Sequence, residues 1–229
     1  KTISWSSTYR RSYLWKTKGD TGVTNIAVFA SGHGTNFQAI IDAIESGYIK
    51  NARIALCLVD RKEAGALNRA WKHGIPTAVV ERNAFASKKD FENAIANETN
   101  KASVDLILLA GFMRILSPEF VSQYPNKIMN IHPALLPSFG GKGLYGPKVH
   151  QAVLDYGTKI TGCTVHFVDE ECDHGPIIIQ APVPVQDDDT PETLAKRVLE
   201  QEHKIYPEAV RLYCEGKLEI IGRRVLRRQ

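Results

Sequence analysis

Short apolar runs alternate with amphipathic stretches from residue 26 onward. Residues 26–30, 52–59, 77–80, 104–110 and 127–131 are apolar runs of strand length. Between them, residues 37–44, 64–72, 87–97 and 116–123 place apolar side chains at helical spacing, and Ser87 is a good N-cap for its helix. Strands alternating with helices of about 10 residues imply a parallel sheet with right-handed crossovers. The pattern then changes. Residues 140–146 are too glycine-rich for a regular element and read as a mobile loop. A helix is predicted over 147–154, then two long strands, 159–168 and 176–185, joined through 169–175 as a hairpin or bent pair. Residues 187–192 form an acidic turn that opens a long helix over 193–213, with acids at its positive end. No internal repeat or linker interrupts this series, so one α/β domain is expected over residues 25–222.

The two ends differ from the middle. Residues 1–24 are rich in Ser, Thr and basic residues without a clean period, as in a targeting remnant, a tag or an extension. Residues 223–229 read as a basic tail. These ends carry much of the excess behind a net charge of +4, and no recognition motif accompanies it, so nucleic acid is not an expected partner. No apolar run reaches the roughly 18–20 residues of a membrane span. Cys57, Cys163, Cys172 and Cys214 form no C-x-x-C pair or His/Cys cluster, which fits free thiols in a reduced compartment and no metal. The cytoplasm is expected, or an organelle if residues 1–24 are a targeting remnant.

Four stretches carry candidate chemistry. Met129 to Pro137 follows an apolar strand and ends in prolines that break it. Residues two apart on a strand share a face, so Asn130 and His132 can project together as donors to a negative oxygen. Ser31, Gly32, Gly34, Thr35 and Asn36 join a buried strand to a helix, where backbone N–H groups and the helix dipole favour phosphate. This G-x-G lacks the third glycine of a dinucleotide site; alone it reads equally well as a tight turn. Phe112, Met113, Arg114, Ile115 and Leu116 follow the strongest strand and offer an apolar wall for a flat heterocycle, or plain core. Between Thr164 and Pro176 lie four acids and two histidines. Asp173 is best placed to be held rigidly, and a carboxylate reaching His132 favours the imidazolium. His166, inside the strand, reads as structural or supporting. Glu202, on the last helix, is either a solvated acid or a partner for a ligand amine or sugar hydroxyl.

Together these motifs resemble the glycinamide ribonucleotide formyltransferase family, folate-dependent enzymes of purine biosynthesis. S-G-x-G-T-N (31–36), A-G-F-M-R-I-L-S-P (110–118), N-I-H-P-A-L-L-P (130–137), D-x-G-P (173–176) and Q-E-H-x-x-Y-P (201–207) occur in the family's order. The resemblance implies a single-domain, Rossmann-like, mostly parallel sheet flanked by helices. It implies Asn130, His132 and Asp173 as catalytic residues, and Gly32, Gly34, Thr35, Asn36 and Lys88 at the substrate phosphate. It also implies Glu202 at the glycinamide end, with Phe112 to Leu116, Val168 and Asp169 at the folate. The implied substrates are glycinamide ribonucleotide and 10-formyltetrahydrofolate, the latter a cosubstrate, for a monomer or homodimer. Formyltetrahydrofolate deformylases are similar but carry a second His where this chain has Pro133. Departures from the family pattern are His33, His174, and Lys88 in place of Arg, a point charge instead of a bidentate partner.

Overall fold

The computed structural model describes residues 22–228. The expected extension over residues 1–24 therefore lies, apart from residues 22–24, outside the described residues. Strand β1 (Thr24–Ala30) is apolar from Ile26 to its end because both of its faces are covered. Ile26, Val28 and Ala30 enter one core cluster, and Ala27 and Phe29 the other. The same burial explains the unbroken apolar runs of β2 (Ala52–Val59) and β4 (Leu106–Leu109). With β3 (Thr77–Val79) and β5 (Ile128–His132) they form a parallel sheet in the order β3-β2-β1-β4-β5. Helices α1 (Thr35–Glu45) and α2 (Ala66–Lys72) pack on one face, and α3 (Lys88–Lys101) and α4 (Pro118–Val121) on the other.

Helix ends follow local chemistry where it is stronger than periodicity. Helix α3 runs past residue 97 to Lys101 because Phe91, Ile95 and Thr99 continue one buried face. The Thr99 hydroxyl lies 2.7 Å from that of Tyr124. Helix α4 is a single turn instead of 116–123: Ser117 accepts the Phe120 N–H as N-cap, and Pro118 fills the first helical position.

Beyond β5 the sheet turns antiparallel. Strand β6 (Ile160–Phe167) pairs with β5 and with β7 (Ile177–Pro184), which sets His166 opposite Asn130 and Thr164 opposite His132. Helix α5 (Pro147–Tyr156) and the long α6 (Pro191–Cys214) cover the first cluster. Thr190 caps α6 in a capping box with Thr193, so the helix starts two residues before the periodicity suggests. Tyr206 of α6 is fully buried, its hydroxyl 3.1 Å from the Leu109 carbonyl and 3.2 Å from that of Met129. That contact ties α6 to the end of β4 and to the first half of β5.

Most of the segment expected as a basic tail is a strand. Strands β8 (Leu218–Ile221) and β9 (Arg224–Arg227) form a hairpin, and β9 lies beside β7 at the sheet edge. Leu218, Ile220 and Val225 pack on the core while Arg224 and Arg227 stay exposed, so the strand pattern was hidden among arginines. The four cysteines are free thiols. Burial pushes those of Cys57 and Cys163 up to about 12, which leaves them inert. Among the described residues no helix is long and apolar enough to cross a membrane.

Candidate active site

The parallel strands β1, β4 and β5 end side by side, so the segments that follow them meet. The Ser31 N–H bonds the Gly111 carbonyl at 3.1 Å, and the Ser31 hydroxyl accepts the Met113 N–H at 2.9 Å. Over these ends opens a cavity of about 460 Å³. Its lining includes Asn36, residues 111–116, Asn130, His132, His150, Val168 to Asp173 and Glu202.

Asn130, His132 and Asp173 all line this cavity. His132 is 4% exposed, and its Nε2 donates to the Phe139 carbonyl at 2.8 Å. Its Nδ1 faces the Asp173 carboxylate at 3.6 Å, leaving Nδ1 as the nitrogen free for a reaction. Asp173 is nearly buried and has the left-handed φ of 54°. One of its oxygens accepts the Gly141 N–H at 2.9 Å, and the other lies 3.8 Å from His166 Nε2. A Cβ on Gly140 would lie 3.2 Å from that of Asp173 and 2.5 Å from Leu136 Cδ2, so glycine permits the loop to pass.

His166 explains how Asn130 is oriented. Burial lowers its pKa, against the opposing pull of the Phe167 carbonyl and Asp173, so the ring is held neutral. Its Nδ1–H then donates to the Phe167 carbonyl at 2.8 Å, and its Nε2 accepts from the Asn130 amide at 3.2 Å. One Asn130 N–H is thereby fixed and the second is left for a ligand.

Asn36 and Glu202 line the same cavity and offer acceptors. Asn36 donates to Glu202 at 2.6 Å, while its own carbonyl oxygen is buried without a partner. Burial raises the Glu202 pKa, and the Asn36 bond only partly offsets it. An unpaired carbonyl and a poorly solvated carboxylate together call for a ligand rich in N–H or O–H groups, a cation above all. Apolar side chains complete the lining. Phe112 packs edge-on against Phe29, and Met113 and Ile115 are large exposed apolar side chains at the rim.

This grouping of polar side chains accompanies a match to known proteins. The formyl transferase family model matches residues 24–210. The chain belongs to that family. Among curated proteins it is 43% identical over 198 residues to the chloroplastic phosphoribosylglycinamide formyltransferase of Arabidopsis thaliana, covering 85% of this chain and 66% of that protein. It is also 43% identical over 203 residues to the trifunctional purine biosynthetic protein adenosine-3 of Gallus gallus, covering 89% of this chain and 20% of that one. The chain thus spans under two thirds of the plant relative's length and a fifth of the avian one's. Among solved structures, glycinamide ribonucleotide transformylase 1 from Symbiobacterium toebii superposes with a TM-score of 0.86 at 42% identity, covering 95% of this chain and all of that one.

In this formyl transferase most of the expected site residues share the cavity, but not all. Gly32, Gly34 and Thr35 do not line it. Thr35 instead lines a neighbouring depression with Gln38, Arg69 and His203. Gly34 has φ 71°, and a Cβ there would sit 2.9 Å from that of Ala66, so this turn admits only glycine without strain. Lys88 stands outside the lining and pairs with Glu92 at 3.7 Å. Arg114 bonds the buried Asp60 at 2.5 Å, a pairing sequence spacing does not announce. His150 also went unnoticed: it is buried in the lining, its Nδ1 unpartnered, its pKa lowered by burial and by His132. Its only signal was a polar residue on the inner face of α5.

Proposed function

We propose that this formyl transferase is a phosphoribosylglycinamide formyltransferase of purine biosynthesis, moving a formyl group from 10-formyltetrahydrofolate to the amine of glycinamide ribonucleotide. The observation that carries the reading is the set of groups sharing one cavity: the Asn130 amide donor, the His132–Asp173 pair, and acceptors at Asn36 and Glu202. An amine-bearing substrate fits the acceptors, and a formyl oxygen gaining charge fits the Asn130 and His132 side.

In this account the α1 N-terminus and residues 31–36 hold the phosphate, where the first N–H groups of a helix lack partners within it. Binding there fixes the amine near the formyl carbon and turns a bimolecular step into a local one. The folate ring lies between residues 111–116 and Val168–Asp169. The amine nitrogen attacks the formyl carbon, and the carbonyl pair moves onto oxygen. The free Asn130 N–H and His132 Nδ1–H stabilise that oxyanion. Asp173 balances the positive charge on His132 and, through a water, carries a proton from the amine towards the folate nitrogen. The carbon–nitrogen bond to folate then breaks, and the formyl group stays on the substrate amine. Residues 140–146 close over the site and exclude bulk water, which would otherwise take the formyl group.

The test is a spectrophotometric assay of folate release from a 10-formyl folate with and without glycinamide ribonucleotide. Release that requires the ribonucleotide is expected. Equal release without it would replace the reading with hydrolysis, and no release in either case would end the assignment.

A further inference from the structure

The 169–175 turn carries Asp173 yet contains no helix or strand, and Asp173 itself sits in a left-handed conformation. Such a backbone holds a carboxylate in place only if its surroundings fix it. From inside the turn, Asp169 does part of this. One of its oxygens accepts the Glu171 N–H at 3.1 Å, and the other accepts His174 Nδ1–H at 2.8 Å. With Nδ1 donating, the remaining His174 nitrogen is an acceptor. Arg223, in the turn between β8 and β9, meets it: Nη1 lies 2.8 Å from His174 Nε2 and 3.1 Å from Nδ1, and Nη2 donates to the His174 carbonyl at 2.5 Å. The hairpin is itself anchored through Leu218, Ile220 and Val225 on the core. A chain of contacts therefore runs from the sheet edge through Arg223, His174 and Asp169 to the turn that presents Asp173.

We propose that Arg223 is a positioning residue that clamps the 169–175 turn and so holds the Asp173 carboxylate against His132. The inference rests on the formyl-transfer reading above. Neither His174 nor Arg223 lines the cavity, and the reaction uses neither. Their contact gives both a purpose. Arg223 touches no reacting atom and acts only through the turn.

The decisive experiment is a double-mutant cycle on the full chain. Arg223→Ala is expected to lower kcat roughly 3- to 10-fold, since small misplacements of a reacting group are costly, with the KM for the ribonucleotide and the melting temperature unchanged. Arg223→Lys, which still reaches the His174 carbonyl, recovers part of the loss. In an Asp173→Asn background the same Arg223→Ala change has no further effect, because there is no carboxylate left to place. Wild-type kcat in Arg223→Ala, or an equal loss in both backgrounds, overturns the clamp. Amide hydrogen exchange supplies a readout without turnover: Arg223→Ala is expected to speed exchange at Gly141, whose N–H Asp173 holds, and unchanged exchange there overturns it. Absence of turnover in the wild-type chain would refute the formyl-transfer reading, and exchange at Gly141 would still decide the clamp.

Discussion

Replacing Asn130 with Ala removes a donor whose two hydrogens have separate tasks. One is held by His166 Nε2 at 3.2 Å, and the other is left for the oxyanion. Loss of the second removes one preorganised donor, for which a fall of about 10²–10³ in kcat, or ~2.7–4 kcal/mol, is expected. Because the contact strengthens only as charge develops, kcat and kcat/KM fall together and KM stays nearly constant. Loss of the first leaves the buried, neutral His166 with an unpaired acceptor. That costs about 1 kcal/mol of stability and lowers Tm by about 2–4 °C in a domain of this size. Asn130→Asp supplies an acceptor where a donor is needed, so it gives no rescue. The assay is steady-state folate release beside a thermal melt. A variant keeping a third or more of wild-type kcat would refute the donor role. A fall in Tm beyond about 10 °C would instead assign the lost activity to unfolding.

Two further changes probe the Asn36–Glu202 acceptors and the phosphate turn. Burial holds the Glu202 pKa above its unfolded value, so its contribution to stability is complete below the ordinary Glu range and is lost as pH rises through the raised value. Glu202→Gln should therefore melt higher than wild type at pH 7 but not at pH 4, while raising the ribonucleotide KM about 10- to 100-fold; a lower Tm at pH 7 would contradict this. Gly34→Ala, forced against Ala66 at φ 71°, should cost roughly 1–3 kcal/mol and raise the ribonucleotide KM more than it lowers kcat, whereas an unchanged KM would remove this turn from the substrate site.

The sequence carried the parallel half of the sheet because two-sided burial leaves unbroken apolar runs with helices between them. It carried the pairing of Asn130 with His132 because an extended backbone returns every second residue to one face. Contacts between distant segments were harder to read. Nothing local to Arg114 announces Asp60, and nothing local to His174 announces Arg223, since each pairing depends on where the sheet places two loops. His166 looked structural because it lies mid-strand, yet antiparallel register sets it directly across from Asn130. The hairpin at residues 218–227 is hard to read because its two strands are only four residues each, without clean alternation, and arginines flank the second. Lys88 rests on the resemblance alone, and in the structure it pairs with Glu92 one turn along α3.

The most direct measurement follows the formyl group itself. With an isotopic label on the formyl carbon of the folate, direct transfer predicts one equivalent of label in the ribonucleotide for each folate released. Label recovered as free formate, in the presence of saturating ribonucleotide, would contradict the account.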